Sequence, residues 1–139
     1  MDSSLVMIGL TNVLSFNNIA CILGGTLLGL FVGAMPGLSA TMALALLLPL
    51  TFSFDPATGL SMLASLYVGA SYGGSIAAIL LRTPGTPSAA ATVLDGFPLS
   101  QQGKAGQALG ISLFASFFGG LMSGIALLTA APLLGTLVL

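Results

Sequence analysis

The sequence has 139 residues, 56% hydrophobic and 4% charged, with no His or Trp and a formal net charge of −1; its mean hydropathy is +1.14. A soluble domain carries roughly a quarter charged residues, so this is the composition of an integral membrane protein. It excludes a nucleic-acid partner, because phosphate binding needs clustered Lys and Arg and only Arg82 and Lys104 exist. At about 20 residues per crossing, the length allows about three to five spans. Cys21 is single and lies in an apolar run, so it reads as an inert thiol and no disulfide framework is expected. The start, MDSSLVMIGL, is acidic where a secretory signal is basic, so no cleaved signal peptide is expected.

Residues 1–18 place Leu5, Val6, Leu10, Val13 and Leu14 at helical spacing, which predicts a short interfacial helix. The apolar stretch 19–54 would make a straight helix of about 54 Å, against a hydrocarbon core of about 30 Å. It must break at Pro36-Gly37, either as two short spans or as a re-entrant pair. Asp55 then reads as a helix N-cap with Pro56 in the first turn, opening a transmembrane helix over 57–81. Residues 82–106 form the most polar segment, in which Pro84, Pro87 and Pro98 predict a loop with a short helix at Ser88–Leu94. Residues 107–139 predict one transmembrane helix, either alone or followed by the start of another. The fold class is therefore all-α integral membrane, with Pro-Gly-broken or re-entrant segments. Arg82 and Lys104 flank one connection, which the positive-inside rule places in the cytoplasm.

No enzyme is expected, since three Asp, one Cys and no His provide neither a metal cluster nor a base beside a nucleophile. Helix breaks flanked by hydroxyls instead suit ligand binding. A helix starting near Ser39 would present backbone N–H groups to an anion, with Ser39 and Thr41 as further donors. This makes Pro36, Gly37, Leu38, Ser39 and Thr41 candidate substrate-binding residues. Carbonyls left unpaired at Gly33, Ala34 and Met35 would suit a sodium ion. The same logic selects Pro84, Gly85, Thr86, Pro87 and Ser88, and the Tyr72-Gly73-Gly74-Ser75 run admits close approach of a ligand or backbone. Packing readings stand beside these. Pro36-Gly37 can be a kink, and Gly25, Gly29 and Gly33 have the spacing of a helix-packing seam. Tyr67 and Tyr72 can be interfacial aromatics, Asp95-Gly96 is a common turn pair, and Arg82 suits a snorkelling anchor. The two Pro-Gly pairs form a weak internal echo with unequal spacings.

The order of motifs resembles one known family. Gly29-x-x-x-Gly33-x-x-Pro36-Gly37-Leu38, Leu47-Leu48-Pro49-Leu50-Thr51-Phe52 and Tyr67-x-Gly69-x-x-Tyr72-Gly73-Gly74-Ser75 are followed by Ile79-Leu80-Leu81, Pro84-Gly85-x-Pro87, Ala91-Thr92, Asp95-Gly96-x-Pro98 and Gly103-x-Ala105-x-x-Ala108-Leu109. Together they are similar to the N-terminal part of TctA, the large membrane subunit of tripartite tricarboxylate transporters, over about residues 19–124. The resemblance implies a bacterial inner-membrane system for cation-gradient-driven uptake of carboxylates such as citrate. Sodium or a proton would be the coupling ion, and no other cofactor is implied. The implied partners are a periplasmic solute-binding protein, a small TctB-like membrane subunit and the lipid bilayer. Family members are several times longer, so the remaining part of the large subunit is also expected as a partner. The chain is expected to be a fragment, a truncated product or one piece of a split subunit, without transport activity alone.

Overall fold

Residues 3–138, which the computed structural model describes, form six α-helices and no strand. They are α1 (Ser3–Val13), α2 (Phe16–Ala34), α3 (Ala40–Thr51), α4 (Pro56–Leu81), α5 (Ala90–Gln101) and α6 (Ala105–Val138), with a 3-10 turn at Pro87–Ala89 leading into α5. Three stretches, α2, α4 and the Ala105–Ala130 part of α6, are long and apolar enough to cross a bilayer. The molecule is an all-α, multi-pass membrane protein.

Local chemistry explains the helix ends. Met35 precedes a proline and is extended, at φ −84° and ψ 117°, because the proline ring keeps its neighbour out of the helical region. Gly37 follows at φ +94°, a left-handed conformation that a side chain would resist, and the chain reverses. Ser39 caps α3, its Oγ accepting the Met42 N–H at 3.2 Å. Asp55 and Pro56 take the cap and first-turn positions that the sequence predicts. Asp55 Oδ2 accepts the Thr58 N–H at 3.1 Å, and the Thr58 hydroxyl donates to Oδ1 at 2.6 Å.

The Thr58 hydroxyl, followed by the Thr58 backbone N–H, holds the Asp55 pKa below its ordinary value. The unfolded chain therefore takes up this proton at higher pH than the folded one. The cap's ionic contribution is fully present above the ordinary carboxylate pKa and is lost as pH falls through the lowered folded value. Asp55→Asn is thus expected to melt below the wild type at neutral pH, with the gap closing in acid. Thermal unfolding followed by circular dichroism across a pH series checks this; a gap independent of pH would assign the effect to shape rather than charge.

The centre of the fold is a seam between α2 and α4. A Cβ on Gly25 would lie 2.6 Å from the Met62 carbonyl oxygen, one on Gly29 would lie 2.8 Å from the Ala70 nitrogen, and one on Gly33 would meet the Ala70 carbonyl. From the other side, Gly69 faces the Thr26 carbonyl, and a Cβ on Gly73 would meet the Leu30 oxygen at 2.5 Å. The small-residue spacing thus brings backbone onto backbone, where Cα–H···O contacts contribute about 0.5–1 kcal/mol each. Because numbers rise together along both helices, α2 and α4 run parallel. The twelve-residue α3, about 18 Å long, returns the chain between them, burying Ala40, Ala43 and Thr51. Thr51 meets α4 at Gly59.

One element differs from the sequence expectation. α5 does not stop at Leu94 but continues to Gln101 through Asp95, Gly96 and Pro98. Pro87 opens the preceding turn and Pro98 falls near the end of α5, so neither breaks a long ladder. Gly96 is held against Ile79, whose Cγ1 lies 2.7 Å from where a Cβ would stand. α6 is one continuous helix from Ala105 to Val138. Gly119, Gly120 and Gly124 lie inside it without breaking it, since a glycine costs a helix about 1 kcal/mol and a broken backbone in hydrocarbon costs several.

Candidate functional site

A cavity of about 730 Å³ opens between α4, the α5 arm and α6. Each wall presents polar side chains at helical spacing. α4 contributes Tyr67, Ser71 and Ser75, with Tyr72 beside them; the α5 arm contributes Ser88, Thr92 and Asp95; α6 contributes Ser112 and Ser116. Residues four apart share a helix face, so each apolar helix carries one hydroxyl-bearing stripe, and the three stripes converge. The Tyr72 hydroxyl donates to the Leu109 carbonyl at 3.2 Å and fixes α6 against α4. Gly96 and Ala108 are buried, which lets the walls approach.

Among the described residues Asp95 is the one charged side chain lining this cavity, and it is exposed. Arg82 ends α4 in the left-handed conformation, at φ 58°, with its guanidinium carbon 5.6 Å from the Phe97 ring centre, a cation–π arrangement. Lys104 lies in the connection from α5 to α6. Neither cation lines the cavity.

The Pro84-Gly85 break meets the last turn of α2 beside α4. Thr86 is 6% exposed, and its Oγ1 lies 2.8 Å from the position of a Cβ on Gly74. Gly85 packs on the Gly33 carbonyl, and Gly73 faces the Ala34 nitrogen. The last turn of α2 and the Gly85-Thr86 segment therefore sit at the depth of Gly73-Gly74, about 11 Å along the axis from the C-terminal end of α4. Irregular backbone at such depth is tolerated where protein surrounds it.

The candidate residues thus divide into three groups. Tyr72, Ser75 and Ser88 line the cavity. Gly33, Gly73, Gly74, Gly85 and Thr86 form the junction behind it, with Thr86 Oγ1 and Ser88 Oγ 3.1 Å apart; Pro84 and Pro87 are exposed at its edge. Pro36, Gly37, Leu38, Ser39 and Thr41 lie outside the cavity lining. Ser39 and Thr41 share a hydroxyl contact of 3.1 Å, and the Ser39 oxygen already accepts from Met42. At the carbonyls expected to hold sodium, Met35 O accepts the Leu38 N–H at 3.3 Å, and Gly33 O is covered by Gly85. Asp95 is not in a turn but inside α5. Sequence reasoning missed Ser71, Thr92, Asp95, Ser112 and Ser116 as cavity residues; the four-residue recurrence of hydroxyls on apolar helices is the signal that finds them.

Residues 19–139 match the family model described as the tripartite tricarboxylate transporter TctA family. An uncharacterized 52.8 kDa protein in the TAR-I ttuC' 3' region of Agrobacterium vitis is 44% identical over 132 residues, covering 95% of this chain and 26% of that protein. No solved structure matches the chain.

Proposed function

Because the chain belongs to the tripartite tricarboxylate transporter TctA family, we propose that it is a permease segment serving cation-gradient-driven uptake of carboxylates such as citrate across a bacterial inner membrane. The chain spans 26% of the length of the relative it matches, so uptake is proposed for the assembled permease. Its partners in this reading are the rest of the large subunit, a small TctB-like subunit and a periplasmic solute-binding protein.

The observation that carries the reading is the cavity walled by α4, α5 and α6, mostly apolar but with Ser or Thr on each wall. Simple anchoring of a chain in lipid gives no reason to line three apolar helices with converging Ser and Thr. The Pro-Gly junction behind the cavity joins α2, α4 and the loop into α5, which would let occupancy on one face be felt on the other. Ser75 follows Gly74 and Ser88 meets the Thr86 hydroxyl at 3.1 Å, so both cavity hydroxyls adjoin the junction, and Ser39 and Thr41 at the start of α3 form a second donor pair.

The test is uptake of radiolabelled citrate by cells carrying the chain with its accompanying transport genes. Ser75→Ala is expected to lower uptake by about tenfold with unchanged protein in the membrane, as a hydrogen bond to a charged ligand contributes about 1.5–3 kcal/mol. Deletion of the gene with no change in uptake of citrate or other carboxylates would overturn the reading.

A further inference from the structure

We infer that the chain dips into the membrane from both faces. α2 and α3 form a re-entrant hairpin that enters from the face where α4 begins, and residues 83–101 form a second that enters from the face where α4 ends. Their contact at Gly33 and Gly85 is a closed barrier between the two faces.

α4 sets the scale. Its 26 residues make about 39 Å of helix against a hydrocarbon core of about 30 Å. Asp55 is exposed before its first turn and Arg82 after its last, so the two ends of α4 lie at opposite faces. The seam places α2 on this scale. Gly25 lies against Met62, Gly29 against Leu66 and the Ala34 nitrogen against Gly73. α2 therefore starts within about a turn of the start of α4 and stops about 11 Å short of its end. α3 then retraces about 18 Å and brings Thr51 to Gly59, near the first turn of α4. The chain has gone in and come back on one face.

The second hairpin does the same from the other face. After Arg82 the chain turns back along α4, so that Thr86 is buried against Gly74. From there α5 climbs again, with Gly96 on Ile79 and Phe97 beside Arg82. α3 and α5 are both twelve-residue helices with a proline near the end, Pro49 and Pro98, and each follows a Pro-Gly pair. They run in opposite directions along α4, so the internal echo of the sequence is an inverted one. The adjacent glycines of α4 receive one hairpin each, Gly73 facing Ala34 and Gly74 facing Thr86.

Where the hairpins meet, backbone closes on backbone. A Cβ on Gly85 would meet the Gly33 carbonyl and stand 3.1 Å from the Gly74 Cα, so no side chain fits between them. Among the described residues no backbone hydrogen bond joins the two hairpins, and the contact is tight without being bonded. That combination suits a barrier that opens. Interrupted helices that meet within the membrane are tolerated where they line a path rather than face lipid.

The experiment is sided thiol labelling of the full chain in right-side-out and inside-out membrane vesicles, with Cys21→Ser as background and no substrate present. Ser53→Cys and Gln102→Cys, both at exposed positions, are expected to react with a membrane-impermeant maleimide from opposite faces. Met35→Cys, at the exposed end of α2, should react from the Gln102 face at least about tenfold more slowly than Gln102→Cys, and fully once the membrane is dissolved in detergent. Adding Gly85→Ala is expected to raise Met35→Cys labelling from that face severalfold while the sidedness of the other two is kept; Gly106→Ala, where nothing lies within 4 Å, should not. Met35→Cys reacting as fast as Gln102→Cys from the Gln102 face would show that α2 crosses completely and overturn the hairpin. Unchanged labelling on adding Gly85→Ala would overturn the barrier. If Gly85→Ala fails to insert, the comparison of Met35→Cys with Gln102→Cys still decides the topology.

Discussion

Replacing Gly29 by Val is expected to separate α2 from α4, whereas the same change at Gly24 leaves them paired. The Gly29 Cβ would meet the Leu66 carbonyl and stand 2.8 Å from the Ala70 nitrogen, while at Gly24 nothing lies within 4 Å. Both positions are in α2, so the two variants share the same helix-propensity cost and differ only in what the new side chain meets. Overpacking of an ordinary core costs about 1–3 kcal/mol because side chains can shift. Here the obstacle is the backbone of another helix and no rotamer change relieves it, so the cost sits at or above about 3 kcal/mol, a factor of more than about a hundred in the pairing equilibrium. Cys21 supplies the readout. It is half-buried in α2, about one turn before the seam begins at Gly25, so a thiol-reactive fluorophore labels it as the helices part. The labelling midpoint should fall by roughly 10 °C in Gly29→Val, at about 4 °C per kcal/mol, and stay within a few degrees of wild type in Gly24→Val. Equal effects at both positions would make helix propensity, not the seam, the cause.

Gly74→Ala is expected to cost most of the uptake activity without loss of the α2–α4 pair. Its new methyl group would stand 2.8 Å from Thr86 Oγ1, 3.1 Å from Thr86 Cγ2 and 3.1 Å from the Thr86 nitrogen. The loop must retreat, taking with it Ser88, which lines the cavity two residues further on. A misplacement of about 1 Å in a positioning element is enough to cost a large factor in rate, so a fall of about tenfold or more in citrate uptake is expected at normal protein level. Thr86→Ala added to Gly74→Ala removes two of the three close contacts and should restore part of the activity. Such rescue is a coupling between neighbours, and its absence would show that Gly74 acts through something other than the loop.

The fold class and the start of α4 were legible because they depend on local chemistry. Hydropathy alone separates this chain from soluble ones, and Asp55-Pro56 carries its own capping geometry. The packing seam was legible as a spacing, Gly25-Gly29-Gly33, but not its partner or direction; that α2 meets α4, and does so in parallel, is a property of the tertiary contacts. α5 was hidden for the opposite reason. Asp95-Gly96 and Pro98 are turn and breaker residues by local preference, and packing of Gly96 on Ile79 overrides that preference. The cavity was hardest to see. Ser71, Ser112 and Ser116 are isolated in apolar runs, and only the converging faces of three helices turn them into a lining.

Parallel packing of α2 and α4 also constrains biosynthesis. A helix that emerges early in translation can pair at once with its immediate successor when the two are antiparallel. Here the glycine face of α2 fits α4, with Gly29 seated against Leu66 and Ala70, so the partner arrives only after about 40 further residues have been made and α3 has brought the chain back. Until then α2 carries exposed backbone notches with nothing to fill them. α3 itself, at twelve residues, is too short to be retained in a bilayer on its own account. α2 can enter the membrane by itself, but its glycine face stays unpacked until α3 and α4 have followed.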